Sequence, residues 1–212
     1  SRANILLGAQ AGTWSVTTAG AAGTISPTLG YAAYNLNLGL GASSILMFDA
    51  TVKAGANGTS SGVVFDFYDT NNFKFAAVVA GTNQVVVGHH TKNGWAIDAT
   101  TTVAQTIAAN TNYDLAVTLK GTTVSVLLNP TTLPNGQQVA AASLGYVFNA
   151  VVTDGQAGLF TRGGASTFTK YTVKSDDAKF LTQTGFVDTP ILTAATRQPR
   201  GIVALPRQAL AP

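Results

Sequence analysis

The sequence predicts an all-β protein, two antiparallel sheets stacked face to face and followed by an extended C-terminal tail. Three observations carry this. Apolar and polar residues alternate with a period of two through most of the chain, and Gly, Asn, Asp and Pro stand at the breaks. No persuasive helix interrupts the alternation. Charged residues are only 10% of the 212, so Thr, Asn, Ser, Gln and Gly must cover the surface, while 46% hydrophobic residues supply a core.

The elements follow in order. Residues 11–36 read as short strands separated by Gly and Pro breaks. Residues 43–54 form a longer strand whose core face is Leu46, Phe48, Ala50 and Val52, with Met47, Asp49, Thr51 and Lys53 opposite. Residues 63–98 read as four antiparallel strands joined by three short turns. The Thr- and Ala-rich stretch after Ala99 is expected to be strand and then loop. Tyr113, Leu115, Val117 and Leu119 answer Val124, Val126 and Leu128 across Gly121, a hairpin with its apolar sets in register. Pro130 and Pro134 make the next segment a loop. Residues 154–175 give two closing strands around Gly163 and Gly164. No fixed-period repeat occurs, which argues against a propeller or solenoid. The division expected is a sandwich over 1–177 and a proline-containing tail or linker over 178–212, where Phe180, Phe186, Ile191, Ile202 and Leu205 offer docking groups.

Composition narrows the chemistry. With no cysteine there is neither a disulfide nor a thiolate metal site. No apolar run reaches the roughly 18 residues of a membrane span, and no signal peptide is legible in the opening residues. The net charge of +3 comes from Arg197, Arg200 and Arg207, after which no acid follows, so the basic balance does not indicate nucleic-acid binding. Every acidic residue is an aspartate; the chain has no glutamate.

The closing strands resemble a signature of bacterial laminin-G-like, concanavalin A-like jelly-roll domains. That signature is a D-G-x-x-G-L segment, a glycine turn and an F-x-x-x-x-V strand. Here it is Asp154, Gly155, Gly158 and Leu159, then Gly163 and Gly164, then Phe168 and Val173. The turn between central strands, Tyr68 to Val78, and the early Trp14 are similar to that superfamily too. The resemblance spans about residues 10–177. It implies a jelly-roll sandwich in a secreted or surface-attached protein, in a superfamily where some members bind sugars or calcium. Thr169 and Lys170 stand where many relatives carry an Asp-Asn pair, which weakens a site inferred from that pair. The glucanases of the superfamily need clustered glutamates, so their activity does not carry over.

Turn geometry projects one polar face. A two-residue turn at Asn93-Gly94 sets His89 opposite Asp98 and His90 opposite Ile97. A turn at Gly81-Thr82 sets Lys74 beside His89 and Ala76 beside Val87. The turn after Tyr68 then aligns Tyr68 with Lys74, and Asp49 falls near Asp66. The predicted face is Asp49, Asp66, Tyr68, Lys74, His89 and Asp98, opposite a core face of Phe48, Phe65, Phe67, Phe75, Val86 and Ile97. A one-residue slip would reverse strands beyond it. Such a face either offers carboxylates, an imidazole and a ring to a saccharide, or is a solvated surface with Asp–His and Tyr–Lys pairs. Trp95 and Trp14 are expected to be buried. Adjacent His89 and His90 point to opposite faces and cannot share a metal. Asp69, Asn71 and Asn72 carry oxygens suited to calcium, although such turns commonly bond their own backbone.

The function expected is a non-catalytic extracellular module that binds carbohydrate or mediates adhesion. A paired-carboxylate hydrolase built on Asp49 and Asp66 is the enzymatic alternative. The alternative of a different class is a self-assembling subunit of a filament or coat, a homo-oligomer or polymer formed as residues 178–212 dock on a neighbouring copy.

Overall fold

The computed structural model describes residues 8–17, 19–35, 44–129, 131–132, 138–177 and 201–204. Its strands in chain order are β1 Gly8–Ala11, β2 Thr13–Thr17, β3 Gly20–Thr24, β4 Tyr31–Asn35, β5 Ile45–Ala54 and β6 Ser60–Asp69. Then come β7 Asn72–Val79, β8 Gln84–Thr91, β9 Gly94–Thr102, β10 Tyr113–Lys120, β11 Thr123–Leu128 and β12 Thr131–Thr132. The last are β13 Gln138–Val139, β14 Ala142–Val147, β15 Gln156–Arg162, β16 Ser166–Ser175 and β17 Gly201–Ala204. No helix occurs among the described residues.

Apart from the small β12–β13 ribbon, the strands form two antiparallel sheets. The first runs β1-β4-β15-β6-β7-β8-β9 and the second β14-β11-β10-β5-β16-β3-β2, with β17 pairing β16 off that path. β5 alternates half-buried and buried residues along its whole length, with Leu46, Phe48, Ala50 and Val52 inside, as its sequence predicts. The β10–β11 hairpin pairs Leu115 with Leu128, Val117 with Val126 and Leu119 with Val124, the expected register. Their side chains meet Val63, Phe65, Ala76, Val78, Val85 and Val87 of the first sheet in the main core. Trp14 lies half-buried against that core, its ring filling the space over Gly23, where a Cβ would come within 2.6 Å of the indole.

Two corrections to the projected face follow from topology. β5 and β6 lie in different sheets, so Asp49 does not fall near Asp66. Asp49 sits opposite Ala116 and Thr172, on the side of β5 away from Phe48 and Ala50, and pairs with Lys174 at 3.1 Å. The second correction is a bulge in β6. The ladder runs Phe65 opposite Lys74 and then Asp69 opposite Asn72, and Asp66 takes φ 48° between them. β6 thus has three residues between those pairs where β7 has only Phe73, and the bulge resets the alternation. Phe65 therefore faces the sandwich core, whereas Phe67 points to the other side of the sheet. Phe65, not Tyr68, stands opposite Lys74.

Phe67, Phe75 and Val86 thus do not share the sandwich core with Phe48 and Phe65. They join Ala11, Tyr31, Ala33, Val64, Phe73, Ala77 and Phe160 in a second apolar cluster, with Val79 and Trp95 packed against it. Every member belongs to the first sheet, so the cluster lies on that sheet's outer face. Ile97, expected inside, is 51% exposed. The predicted tail, 178–212, lies mostly outside the described residues, at 178–200 and 205–212. Its described segment, β17, pairs antiparallel with Thr172–Ser175 of β16.

Candidate functional site

The β7–β8 ladder follows the predicted register, with Lys74 opposite His89 and Ala76 opposite Val87. Lys74 therefore shares a face with Phe65 and His89, the face turned toward the second sheet. Its ammonium stands 5.1 Å from the centroid of the Phe148 ring, a member of the main core. The β8–β9 turn falls one residue earlier than predicted, at Lys92-Asn93, which shifts the cross-strand register by two, with Thr91 opposite Gly94, His90 opposite Trp95 and His89 opposite Ala96. A bulge between Val87 and Gly88 leaves Asp98 without a cross-strand partner. That freedom brings its carboxylate to His89 Nδ1 at 2.7 Å. His89 and Asp98 thus meet by a route other than the one projected.

Five of the six projected residues gather at this end of the first sheet; Asp49 does not. The Lys74 ammonium donates to Asp66 Oδ2, and Asp66 is 2% exposed. Tyr68 Oη donates to Asp154 Oδ1 at 3.0 Å. Burial pushes the Asp66 carboxyl above its ordinary pKa, outweighing the opposite pull of Lys74's hydrogen bond and charge and of a hydrogen bond from Tyr68. Asp154 adds a smaller repulsion. Burial likewise raises the Tyr68 hydroxyl, followed by its bond to Asp154 and the charge of Asp66. Tyr68 stays a neutral donor at physiological pH, and the residue is 53% exposed.

Asp154 is the site residue the sequence reading passed over. Its signal was present in the Asp154-Gly155 pair, which reads there only as a fold signature. The structure supplies the physical reason for that pair. A Cβ on Gly155 would lie 2.6 Å from the carbonyl carbon of Asp66 and 2.7 Å from the Phe67 nitrogen. The glycine lets the loop close onto the bulge, which brings Asp154 to Tyr68. Gly155→Ala is accordingly expected to destabilise the fold by about 1–3 kcal/mol, as overpacked sites do. Urea unfolding of the variant measures this.

The outer face carries a different chemistry. Trp95 packs edge-on to Tyr31, Phe73 and Phe75 and lies 4.3 Å from His90, with the Arg162 guanidinium carbon 4.2 Å above its ring. The expected burial of Trp95 is partial, and on this outer face. His89 and His90 point to opposite faces, as expected of neighbours on a strand. In the β6–β7 turn, Asp69 Oδ1 accepts the Asn71 amide at 2.6 Å, closing an Asx turn. The turn, with Asn72, Thr91 and Lys92, borders a cavity of about 490 Å³. Among the described residues, no three His or Asp side chains are grouped to hold a metal.

No family model matches the chain, and no curated protein matches it in sequence. Solved structures do match. The carbohydrate binding module CBM66 from Bacillus subtilis has a TM-score of 0.59 at 19% identity, covering 79% of this chain and 94% of that one. Arcelin-5, a lectin-like defense protein from Phaseolus vulgaris, has a TM-score of 0.51 at 10% identity, covering 80% and 92%. The exoplasmic/lumenal domain of VIP36, in a Ca2+/Man3GlcNAc-bound form, has a TM-score of 0.50 at 10% identity, covering 80% and 86%. At these identities the likeness defines a fold. The protein is a concanavalin A-like jelly-roll sandwich.

Proposed function

We propose that the protein is a non-catalytic carbohydrate-binding module, acting as an extracellular or surface-associated adhesion domain, with its glycan site at the Tyr68 end of the sandwich. The observation that carries this is the Tyr68 ring, exposed and held by Asp154 beside the Asp66–Lys74 pair. Sugars combine apolar ring faces with hydroxyls, so they need an aromatic platform flanked by donors and acceptors. Tyr68 offers the platform. Asp154, Lys74, His89 and Asp98 offer the polar groups. The carbohydrate binding module, the lectin-like protein and the Man3GlcNAc-bound domain among the structural neighbours support the same class of ligand. Against a hydrolase, the two carboxylates projected as a catalytic pair stand on separate sheets, and Asp66 is engaged by Lys74.

Glycan-array binding of the wild-type chain tests the proposal. Tyr68→Ala is expected to lower affinity at least about tenfold, in line with the loss of a central aromatic contact. His89→Ala should have a smaller effect. Absence of binding to any glycan, with or without added calcium, overturns the proposal.

A second reading, assembly through the tail, is favoured by one observation. β17 takes the part of β16 that β3 leaves unpaired, since β3 covers Ser166–Phe168 and β17 covers Thr172–Ser175. The same strand edge would accept the Gly201–Ala204 segment of a neighbouring copy by β-strand addition. Deleting residues 178–212 should abolish concentration-dependent association in sedimentation while leaving the sandwich folded. A wild-type chain that stays monomeric at all concentrations rules assembly out.

A further inference from the structure

Arg162 is placed by its register at the outer face of the first sheet, opposite Tyr31 on one side and Ser60 on the other. Its guanidinium lies over the Trp95 ring, and burial lowers its pKa without bringing it a counter-ion. Every described aspartate bonds some other group, from Asp66 with Lys74 and Asp98 with His89 to Asp154 with Tyr68 and Asp177 with Ser44. Among the described residues Arg162 has no ion pair and no side-chain hydrogen bond. Beside it, His90 packs 4.3 Å from Trp95, and its Nδ1 is buried with no hydrogen-bond partner.

We propose that Arg162, stacked on Trp95 next to His90, forms a second ligand site that binds the carboxylate of an acidic saccharide. Stacking uses the π face of the guanidinium and leaves its N–H donors, which lie in the plane of the group, free at the edge. A fixed planar fork of donors without an internal acceptor matches a carboxylate, which it grips through two parallel hydrogen bonds. The aromatic cluster beneath holds Trp95, so the fork is oriented before ligand arrives and loses little entropy on binding. Saccharide as the carrier of the carboxylate rests on the glycan-binding reading above. The carboxylate itself does not, and the Tyr68 site lies on the other side of the sheet.

Isothermal titration with trigalacturonate, its methyl ester and tricarballylate tests this. The methyl ester keeps the rings and hydroxyls but has no carboxylate; tricarballylate keeps carboxylates without a sugar ring. Trigalacturonate should bind, more weakly as salt rises, and the ester at least about tenfold more weakly, because bidentate charge-assisted bonds are lost. Arg162→Ala should abolish the trigalacturonate signal. Arg162→Lys keeps the charge and guards against a folding artefact; it should bind at least about tenfold more weakly than wild type, since an ammonium cannot bridge both oxygens. Equal binding of acid and ester, undiminished binding in Arg162→Lys, or no trigalacturonate binding overturns the proposal. Neutral glycans that still bind through Tyr68 would then show that only the second site has failed. Tricarballylate binding that depends on Arg162, with trigalacturonate silent, would keep the anion fork and overturn its saccharide assignment.

Discussion

Asp66→Ala is expected to destabilise the protein by about 3–5 kcal/mol, the range for breaking one side of a buried ion pair. Lys74, at 16% exposure, would keep its charge over Phe148 with no carboxylate beside it. The backbone adds to the loss. Asp66 adopts φ 48°, which Asp and Asn tolerate better than Ala because their short polar side chains bond locally. Asp66→Asn should therefore be milder than Asp66→Ala, since it keeps a hydrogen-bond acceptor for Lys74 and a residue suited to the bulge. Urea unfolding at neutral pH measures the series. A loss under about 1 kcal/mol for Asp66→Ala, the scale of an exposed pair, would show that the pair does not hold the bulge.

The pH dependence has a definite sign. Burial raises the folded-state pKa of Asp66 above its unfolded value, so the native state binds the proton more tightly. Across the window between the two values, Asp66 contributes stability that is present at low pH and lost as pH rises through the folded pKa. Asp66→Asn removes that titration. The stability of wild type relative to the variant should then be greatest in acid and decline as pH rises through that window.

How far the fold was legible depends on where alternation stayed regular. β5, β10 and β11 keep strict period two, and their core faces and mutual register follow directly from the residues. The β7–β8 turn likewise fixed Lys74 against His89. The site was legible as a residue set and illegible as a surface. Two bulges intervene: the one at Asp66 has no glycine or proline of its own to announce it, and the one by Asp98 has only Gly88 on the facing strand, inside an otherwise regular apolar run. The clue to the first lies far along the chain in Gly155, whose missing side chain makes room for it. Asp49 misled for another reason: the loop after Ala54 crosses between sheets, and an antiparallel hairpin and a sheet-to-sheet crossing look alike in sequence.

Phe160→Ala is expected to cost about 3–5 kcal/mol, as for a fully buried ring in an ordinary core, although it lies outside the sandwich. Phe160 is fully buried and stacks on Phe75 at 5.0 Å, with Phe73 and Trp95 at 6.2 and 6.0 Å. Its register partner on β6 is Gly62, where a Cβ would lie 2.0 Å from the Ala76 carbonyl oxygen. No side chain on that flank can move in to fill the void. A site that cannot collapse falls toward the upper end of the range. Phe160→Leu keeps most of the volume and should cost under about 1.5 kcal/mol. The ratio between the two separates a packed second core from a surface that merely excludes water. A loss below about 1 kcal/mol for Phe160→Ala, less than burial of such a ring is worth, would mean the outer cluster is not packed as a core. Arg162 stands two residues along the same face, so a loosened cluster would also release Trp95. Carboxylate binding at Arg162 should weaken in Phe160→Ala and persist in Phe160→Leu, which ties the stability of the outer core to the proposed second site.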